Sequence, residues 1–290
     1  MDAPIDVHGL TKSFRRHSVL ENLDLQVKFG AAIGLLGANG SGKTTLLKIL
    51  LGLLEPDNGT SLILGESPRE LSAEARTKIA YVPQTPNQFF WLSGRAMLKY
   101  IAAFYPSFDW DYAKDLSDRW KVSLRTPISV LSPGQQQRLS IVRALATRPE
   151  LLVLDEPIAS LDPATRIAVV DELIRLRAER RLTLLFSSHI TGDLERLCTD
   201  FAILAGGRIA AMASIDNFRQ LVRTSMEGDE ATLARLSFDG CRHVRRPKDG
   251  ERMVLADEAA SRQVRESLPD AVRATTQTSD LETVFSEWMQ

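Results

Sequence analysis

The residues best suited to chemistry stand together at 37–44: Gly37-Ala38-Asn39-Gly40-Ser41-Gly42-Lys43-Thr44. The glycines let backbone N–H groups turn inward where a Cβ would collide, which is how a loop cradles a phosphate. An apolar run, Ala32 to Leu36, precedes the loop, and Thr45 to Leu51 follows it with helical periodicity. This is the strand, loop and helix context of a P-loop. The start of the helix turns its positive dipole end to the same anion. Lys43 is expected to reach the β- and γ-phosphates of a nucleotide, and the Thr44 hydroxyl to coordinate Mg2+. Thr45, the next residue, is counted with the nucleotide-binding set.

A second candidate is Asp155-Glu156-Pro157, at the end of the apolar run Leu151-Leu152-Val153-Leu154. Two adjacent carboxylates at the end of a buried strand need a cation or a reaction to justify them. Asp155 is expected to face the Mg2+ near Thr44, and Glu156 an attacking water. Without that context the pair is an acidic loop. A third is Leu131-Ser132-Pro133-Gly134-Gln135, where Ser132 is a good N-cap and Pro133 suits the first helical position. Such a helix start is also a second anion site.

Three isolated residues carry two readings each. Phe14 is either an exposed ring that stacks on adenine or a core residue. Gln84, after Lys78 to Val82, is either a loop residue or a side chain whose carbonyl oxygen ligates Mg2+. His189, after the strand Leu182 to Phe186, is either a surface residue or sits where open α/β sheets hold their ligands. Ser160-Leu161-Asp162-Pro163 starts a helix, with Asp162 as its N-cap.

The elements needed to position these residues are legible as an alternation of apolar runs and helical patterns. Ile5 to Leu10, Leu20 to Val27, Ser61 to Leu64, Phe201 to Leu204 and Arg208 to Met212 read as further strands. Pro56-Asp57-Asn58-Gly59 reads as a turn. From about Ser93 to Lys121 the pattern is helical and rich in aromatics. These are core by default, with Phe89, Phe90 and Trp91 as a subset that could face a partner. Phe218 to Arg223 looks helical, and Glu227 to Glu230 reads as a linker. Beyond it the order is strand (Leu233 to Phe238), strand (Arg252 to Leu255), helix (Glu258 to Leu268), strand (Val272 to Thr276), helix (Leu281 to Met289). The expected division is thus a domain at 1–225 with a helical subdomain at about 85–147, and a small α/β appendage at 231–290 that bears no chemical motif.

The 290 residues are 44% hydrophobic and 25% charged, with a formal net charge of -1. That balance gives no global basic field, so nucleic acid is not the expected partner. Cys198 and Cys241 stand in no metal-ligand spacing. No apolar run approaches the roughly 18–20 residues that span a bilayer, and Met1-Asp2-Ala3-Pro4 lacks the parts of a signal peptide. Any membrane work is expected of a partner.

In this order, the motifs resemble those of the ATP-binding subunits of ABC transporters. Gly37 to Thr44 matches the P-loop, Gln84 the Q-loop, Leu131 to Gln135 the signature, Leu151 to Asp155 with Glu156 the Walker B strand, Ser160 to Asp162 the D-loop, His189 the switch histidine and Phe14 the adenine-stacking aromatic. The match spans about residues 4 to 215, and the signature is what distinguishes this family from other P-loop proteins. The resemblance implies a mostly parallel core sheet, an antiparallel β subdomain and a helical subdomain. It implies two subunits, identical or closely related, clasping two ATP molecules head to tail. Ser132, Gly134, Gln135 and Asp162 would serve ATP held by the partner. Lys43, Glu156 and His189 would carry hydrolysis, and Thr44, Gln84 and Asp155 the Mg2+. It also implies an integral membrane permease, a cytoplasmic location on the inner face of the cell membrane, and, from Phe104 to Trp110 and the closing Asp280 to Phe285, the bacterial exporter-type branch. Pro133 departs from the family's glycine. Proline lacks one phosphate-facing N–H, so the expectation is retained activity with weaker closure.

Overall fold

The computed structural model describes residues 3–278 apart from 16, 87, 88, 189, 190, 220, 239, 240, 242, 249 and 270. These fall into two compact units, 1–212 and 213–290.

The first unit opens with β1 (Ile5–Phe14) and β2 (His17–Val27), antiparallel from Ile5 opposite Val27 to Phe14 opposite His17. β3 (Ala32–Leu36) is buried at every position and runs through the glycine loop into α1 (Lys43–Leu50). β4 (Asn58–Ile63) returns beside β1, giving a sheet of order β2-β1-β4. Asn58 and Gly59, expected in a turn, are the first residues of that strand. α2 (Ala73–Thr77) leads into β5 (Ile79–Val82). A helical stretch follows: α3 (Gly94–Ala102), α4 (Trp110–Arg119) and, after a single 3-10 turn at Ile128–Val130, α5 (Pro133–Ala146). Ser93, Asp109 and Ser132 cap the three helices through their side chains. Then come β6 (Leu151–Asp155), α6 (Pro163–Arg180), β7 (Thr183–Ser187), α7 (Thr191–Leu197), β8 (Asp200–Ala205) and β9 (Arg208–Ser214).

The central sheet has the order β5-β6-β7-β3-β8-β9, and its neighbours from β5 to β8 are parallel. β3, β6 and β7 are continuous apolar runs because both faces of a parallel sheet are covered. α1 lies between the two sheets: Leu46, Leu47, Ile49 and Leu50 share one core with Leu10, Leu20 and Leu23 of the first sheet and Ile33, Leu35 and Val153 of the second. Each such side chain contributes about 1.5–3 kcal/mol on burial, so the start of α1 is held on a fixed frame.

The second unit contains α8 (Ile215–Arg219), β10 (Leu221–Glu227), α9 (Glu230–Arg235), β11 (His243–Lys248), β12 (Glu251–Asp257), α10 (Glu258–Glu266) and β13 (Arg273–Thr278). From β10 onward this is strand-helix-strand-strand-helix-strand, in an antiparallel sheet of order β11-β12-β10-β13. That is the split βαβ, ferredoxin-like arrangement. Met226, Leu233, Val254, Val264 and Val272 form its own core. The division falls at 212/213, earlier than the 225–231 stretch read from the sequence, because Leu221–Glu227 is a strand of the second unit's own sheet. The helix expected over 218–223 ends at Arg219, and the first half of the strand expected over 233–238 is the end of a helix started by Asp229 as N-cap. The final helix expected from Leu281 lies outside the described residues.

Candidate functional site

Parallel strands send their C-terminal ends to one side, and there the ligands of open α/β sheets bind. Four neighbouring strands deliver the candidate residues to that side: Gln84 after β5, Asp155 and Glu156 at β6, Ser187 at β7, and the glycine loop after β3.

The loop is built for close approach. A Cβ on Gly37 would lie 2.4 Å from Ser41 Oγ and 2.7 Å from the Leu204 carbonyl oxygen. Gly42 has φ 108°, and a Cβ there would meet Leu20 at 2.8 Å. Gly42 is also the N-cap of α1 and provides no side-chain cap, so the first N–H groups of the helix are left to an outside acceptor. Ala38, Asn39 and Gly40 are exposed, and Gly40 has open space where a Cβ would point. Ser41 Oγ is buried and nothing among the described residues hydrogen-bonds to it. An orphaned buried hydroxyl beside uncapped N–H groups fits a phosphate.

Lys43 is buried and donates to the carbonyl oxygens of Gly37 at 2.7 Å and Ala38 at 3.1 Å, with Glu156 Oε1 3.7 Å away. Burial pushes its ammonium below the usual lysine value, and Glu156 and Asp155 pull it part of the way back. Thr44 Oγ1 donates to Asp155 Oδ2 at 2.9 Å, and Ser187 Oγ donates to Asp155 Oδ1 at 2.8 Å. The Glu156 N–H reaches the same Ser187 Oγ at 3.0 Å. Glu156 sits at φ 45°, a left-handed conformation uncommon for a side-chain-bearing residue, which turns it away from the strand direction. Gln84 Nε2 donates to Glu156 Oε2 at 3.3 Å. A hydroxyl and a carboxylate oxygen suit a hard cation, and Mg2+ takes one or two carboxylates and completes its shell from phosphates and water.

The signature segment is placed by its own bonds. Ser132 Oγ accepts from Gln135 N at 3.3 Å while Gln135 Oε1 accepts from Ser132 N at 3.0 Å, a capping box. Gln135 is therefore committed to the cap. Pro133 fits the first helical position. Gly134 has a local reason to be glycine: a Cβ would lie 3.1 Å from the Ser160 carbonyl oxygen. Asp162 caps α6 and stands 3.6 Å from Arg138, which also donates to Trp120 O at 2.8 Å. Phe14 is 46% exposed, so the core reading falls, and Lys12 lies over its ring at 5.6 Å. Thr45 is half-buried in α1. His189 lies outside the described residues. Sequence reasoning assigned no role to Ser187. Its signal was a hydroxyl ending one apolar strand in register with Asp155 ending the next.

A nucleoside-triphosphatase of the P-loop class is what this sheet, glycine loop and carboxylate pair define. Residues 20–159 match the family described as ABC transporter. YxlF, an ABC transporter ATP-binding protein of Bacillus subtilis, is 30% identical over 227 residues, covering 77% of this chain and 75% of that protein. The Nod factor export ATP-binding protein I of Cupriavidus metallidurans is 33% identical over 223 residues, covering 72% and 70%. A solved ATP-binding subunit of an ABC transporter is 30% identical with a TM-score of 0.67, over 74% of this chain and 91% of that one. The cbiO1 protein of Clostridium perfringens, part of the transporter complex cbiONQ, is 25% identical with a TM-score of 0.62, over 75% and 90%. The chain belongs to the ABC transporter family as an ATP-binding, ATP-hydrolysing subunit.

Proposed function

We propose that the protein drives a separate membrane permease by ATP-dependent closure and hydrolysis-dependent opening of a head-to-tail pair of ATPase subunits, in the direction of export. The observation that carries this is the division of labour in one chain. Lys43, Thr44, Asp155, Glu156 and Gln84 converge at the strand ends, while the capped start of α5, read from the sequence as a second anion site, belongs to the helical stretch. Two anion sites have one economical use: ATP bound at one chain's loop is completed by Ser132, Gly134 and Asp162 of another.

Within each site the glycine loop and α1 take the phosphates, and Phe14 offers its exposed ring to adenine. Thr44 and Asp155, with the Gln84 carbonyl oxygen, would hold Mg2+, which would supply neutralisation of phosphate charge. Glu156 takes the proton of, or orients, the attacking water, and the role near the γ-phosphate that the resemblance gives His189 is proposed from the sequence alone. The permease meets the face where Trp91, Tyr100 and Phe104 are exposed and stack in series through Phe89, beside a groove lined by Leu53, Leu71, Tyr81 and Ile101. Among the described residues no helix is long and apolar enough to cross a membrane. The naming of similar proteins as export ATP-binding subunits supports the direction.

Glu156→Gln tests the core of this. It should bind ATP as the parent does, form a dimer with it, and lose about 100- to 10,000-fold in turnover. Parental turnover with no ATP-dependent dimer would refute the reading, and stimulation by nucleic acid or ribosomes in place of a permease would redirect it.

A further inference from the structure

β5 is one of the two edge strands of the central sheet, with β6 as its one neighbour among the described residues. An edge strand must satisfy its outward carbonyls elsewhere. Here two side chains of α5 do so: Arg143 Nη2 donates to Tyr81 O at 2.8 Å, and Gln137 Nε2 donates to Pro83 O at 3.3 Å. Pro83 has no N–H, so its position offers the edge an acceptor alone. The pairing also gives a direction. The earlier residue of the helix meets the later residue of the strand, so α5 runs opposite to β5. The signature end of α5 and Gln84, the residue after Pro83, therefore lie at the same end.

We infer that Gln137, supported by Arg143, is a positioning residue for ATP hydrolysis: it grips the backbone beside Gln84 and so ties the signature helix to the Gln84–Glu156 contact. The links are consecutive. Ser132 and Gly134 begin α5, Gln137 is one turn on and holds Pro83, and Gln84 donates to Glu156 at 3.3 Å. Phosphate from a partner's site arriving at Ser132 displaces α5, and the displacement reaches Glu156 through the Gln137 side chain, the Pro83–Gln84 peptide and the Gln84 side chain.

The chemistry of Gln137 favours this over simple packing. Its side chain is 0% exposed, and nothing among the described residues donates to its Oε1. A buried amide that uses its donor and leaves its acceptor empty costs stability that a methionine of similar size would not. The neighbouring glutamines show that the three are not interchangeable. Gln135 closes the capping box, and Gln136 donates to the carbonyls of Ile128 and Leu131, fastening the turn before the helix. Successive helical residues point about 100° apart, so each glutamine serves a different neighbour. What Gln137 supplies is the bond to Pro83, with an acceptor in reserve when the segment shifts and brings the N–H of Gln84 or Thr85 within reach.

The inference rests on the roles proposed for Gln84 and Glu156, and a double-mutant cycle separates the two. Steady-state turnover at saturating ATP and Mg2+, ATP dissociation constant and Tm are measured for the full chain and for Gln84→Ala, Gln137→Met and the double variant. Gln137→Met should slow turnover about 10- to 100-fold, the range for a displaced reacting group. ATP affinity should stay within about two-fold; removing the unsatisfied Oε1 and orphaning the Pro83 carbonyl act on Tm in opposite directions, so Tm serves to show that the variant is folded. In the Gln84→Ala background Gln137→Met should cost nothing further. Equal fold-losses in both backgrounds, or ATP binding weakened as much as turnover, overturn the inference and leave the Gln84 role intact. If Gln84→Ala alone turns over like the parent, the Gln84 role fails and this inference with it. If Gln137→Met does not fold, Arg143→Lys runs the same cycle, and loss of fold there too shows a structural role only.

Discussion

Ser187 shows how one small side chain can hold a candidate metal ligand and a candidate catalytic residue. Its Oγ donates to Asp155 and accepts from the Glu156 N–H, so it fixes one carboxylate and the peptide that aims the other. In Ser187→Ala the Asp155 Oδ1 loses this donor in a buried place, a loss of about 1–2 kcal/mol. Thermal unfolding should register that, and phosphate release at saturating ATP should fall further than ATP affinity does. Unchanged turnover would show that Asp155 and Glu156 hold their positions without the hydroxyl. At this scale the sequence was most informative where a motif has fixed spacing. Lys43 and Thr44 are legible within their own loop and helix start, and Asp155 and Glu156 at their own strand end; the structure brings the two pairs together although Thr44 and Asp155 are 111 residues apart. Ser187 and Gln137 were missed because their partners are 32 and 54 residues away and are supplied by strand order.

At the scale of elements, α4 and α6 are joined by one buried carboxylate. Glu172 accepts from the Tyr112 hydroxyl, from Arg175 and from Arg119, the last at 3.1 Å, while it is itself 3% exposed. Burial pushes its carboxyl up, but the bonds from Arg175, Tyr112 and Arg119 outweigh it and hold it below the ordinary 4.5. The unfolded chain then binds this proton more readily than the native one. The contribution is complete above about 4.5 and is lost as pH falls through the lower native value. Glu172→Gln should therefore cost about 1–3 kcal/mol at neutral pH, and its gap from the parent should narrow in acid. Urea unfolding across that range decides it, and a gap independent of pH would show that packing, not charge, joins the helices. Helix starts were the best-read elements, because Ser132 and Asp162 act within one turn. Asp229 does the same for α9, yet it was read as linker, since the surrounding Glu227 to Glu230 is too polar to suggest an element.

At the scale of the whole molecule the chain is two units with separate cores, and β10 belongs with the second. A chain ending after Ser214 keeps every candidate site residue and all of β9. A chain ending after Glu230 carries β10 without β12 and β13, its two partners. The shorter chain should bind ATP and unfold in one transition, and the longer one should aggregate through an unpaired strand. Light scattering and ATP binding compare them. Equal solubility would mean that β10 needs neither neighbour.

What the sequence determined by itself was whatever is settled within a few residues: the phosphate loop, the carboxylate pair, the capped helices and the buried parallel strands, whose apolar runs have no other use. The tertiary structure alone decided which edge strand α5 covers, where Ser187 stands, and that residues 221–227 form an inner strand of the second unit's sheet. Those outcomes depend on strand order and on burial between distant segments. Hydrophobic association is not directional, so no local pattern of residue types specifies its partners.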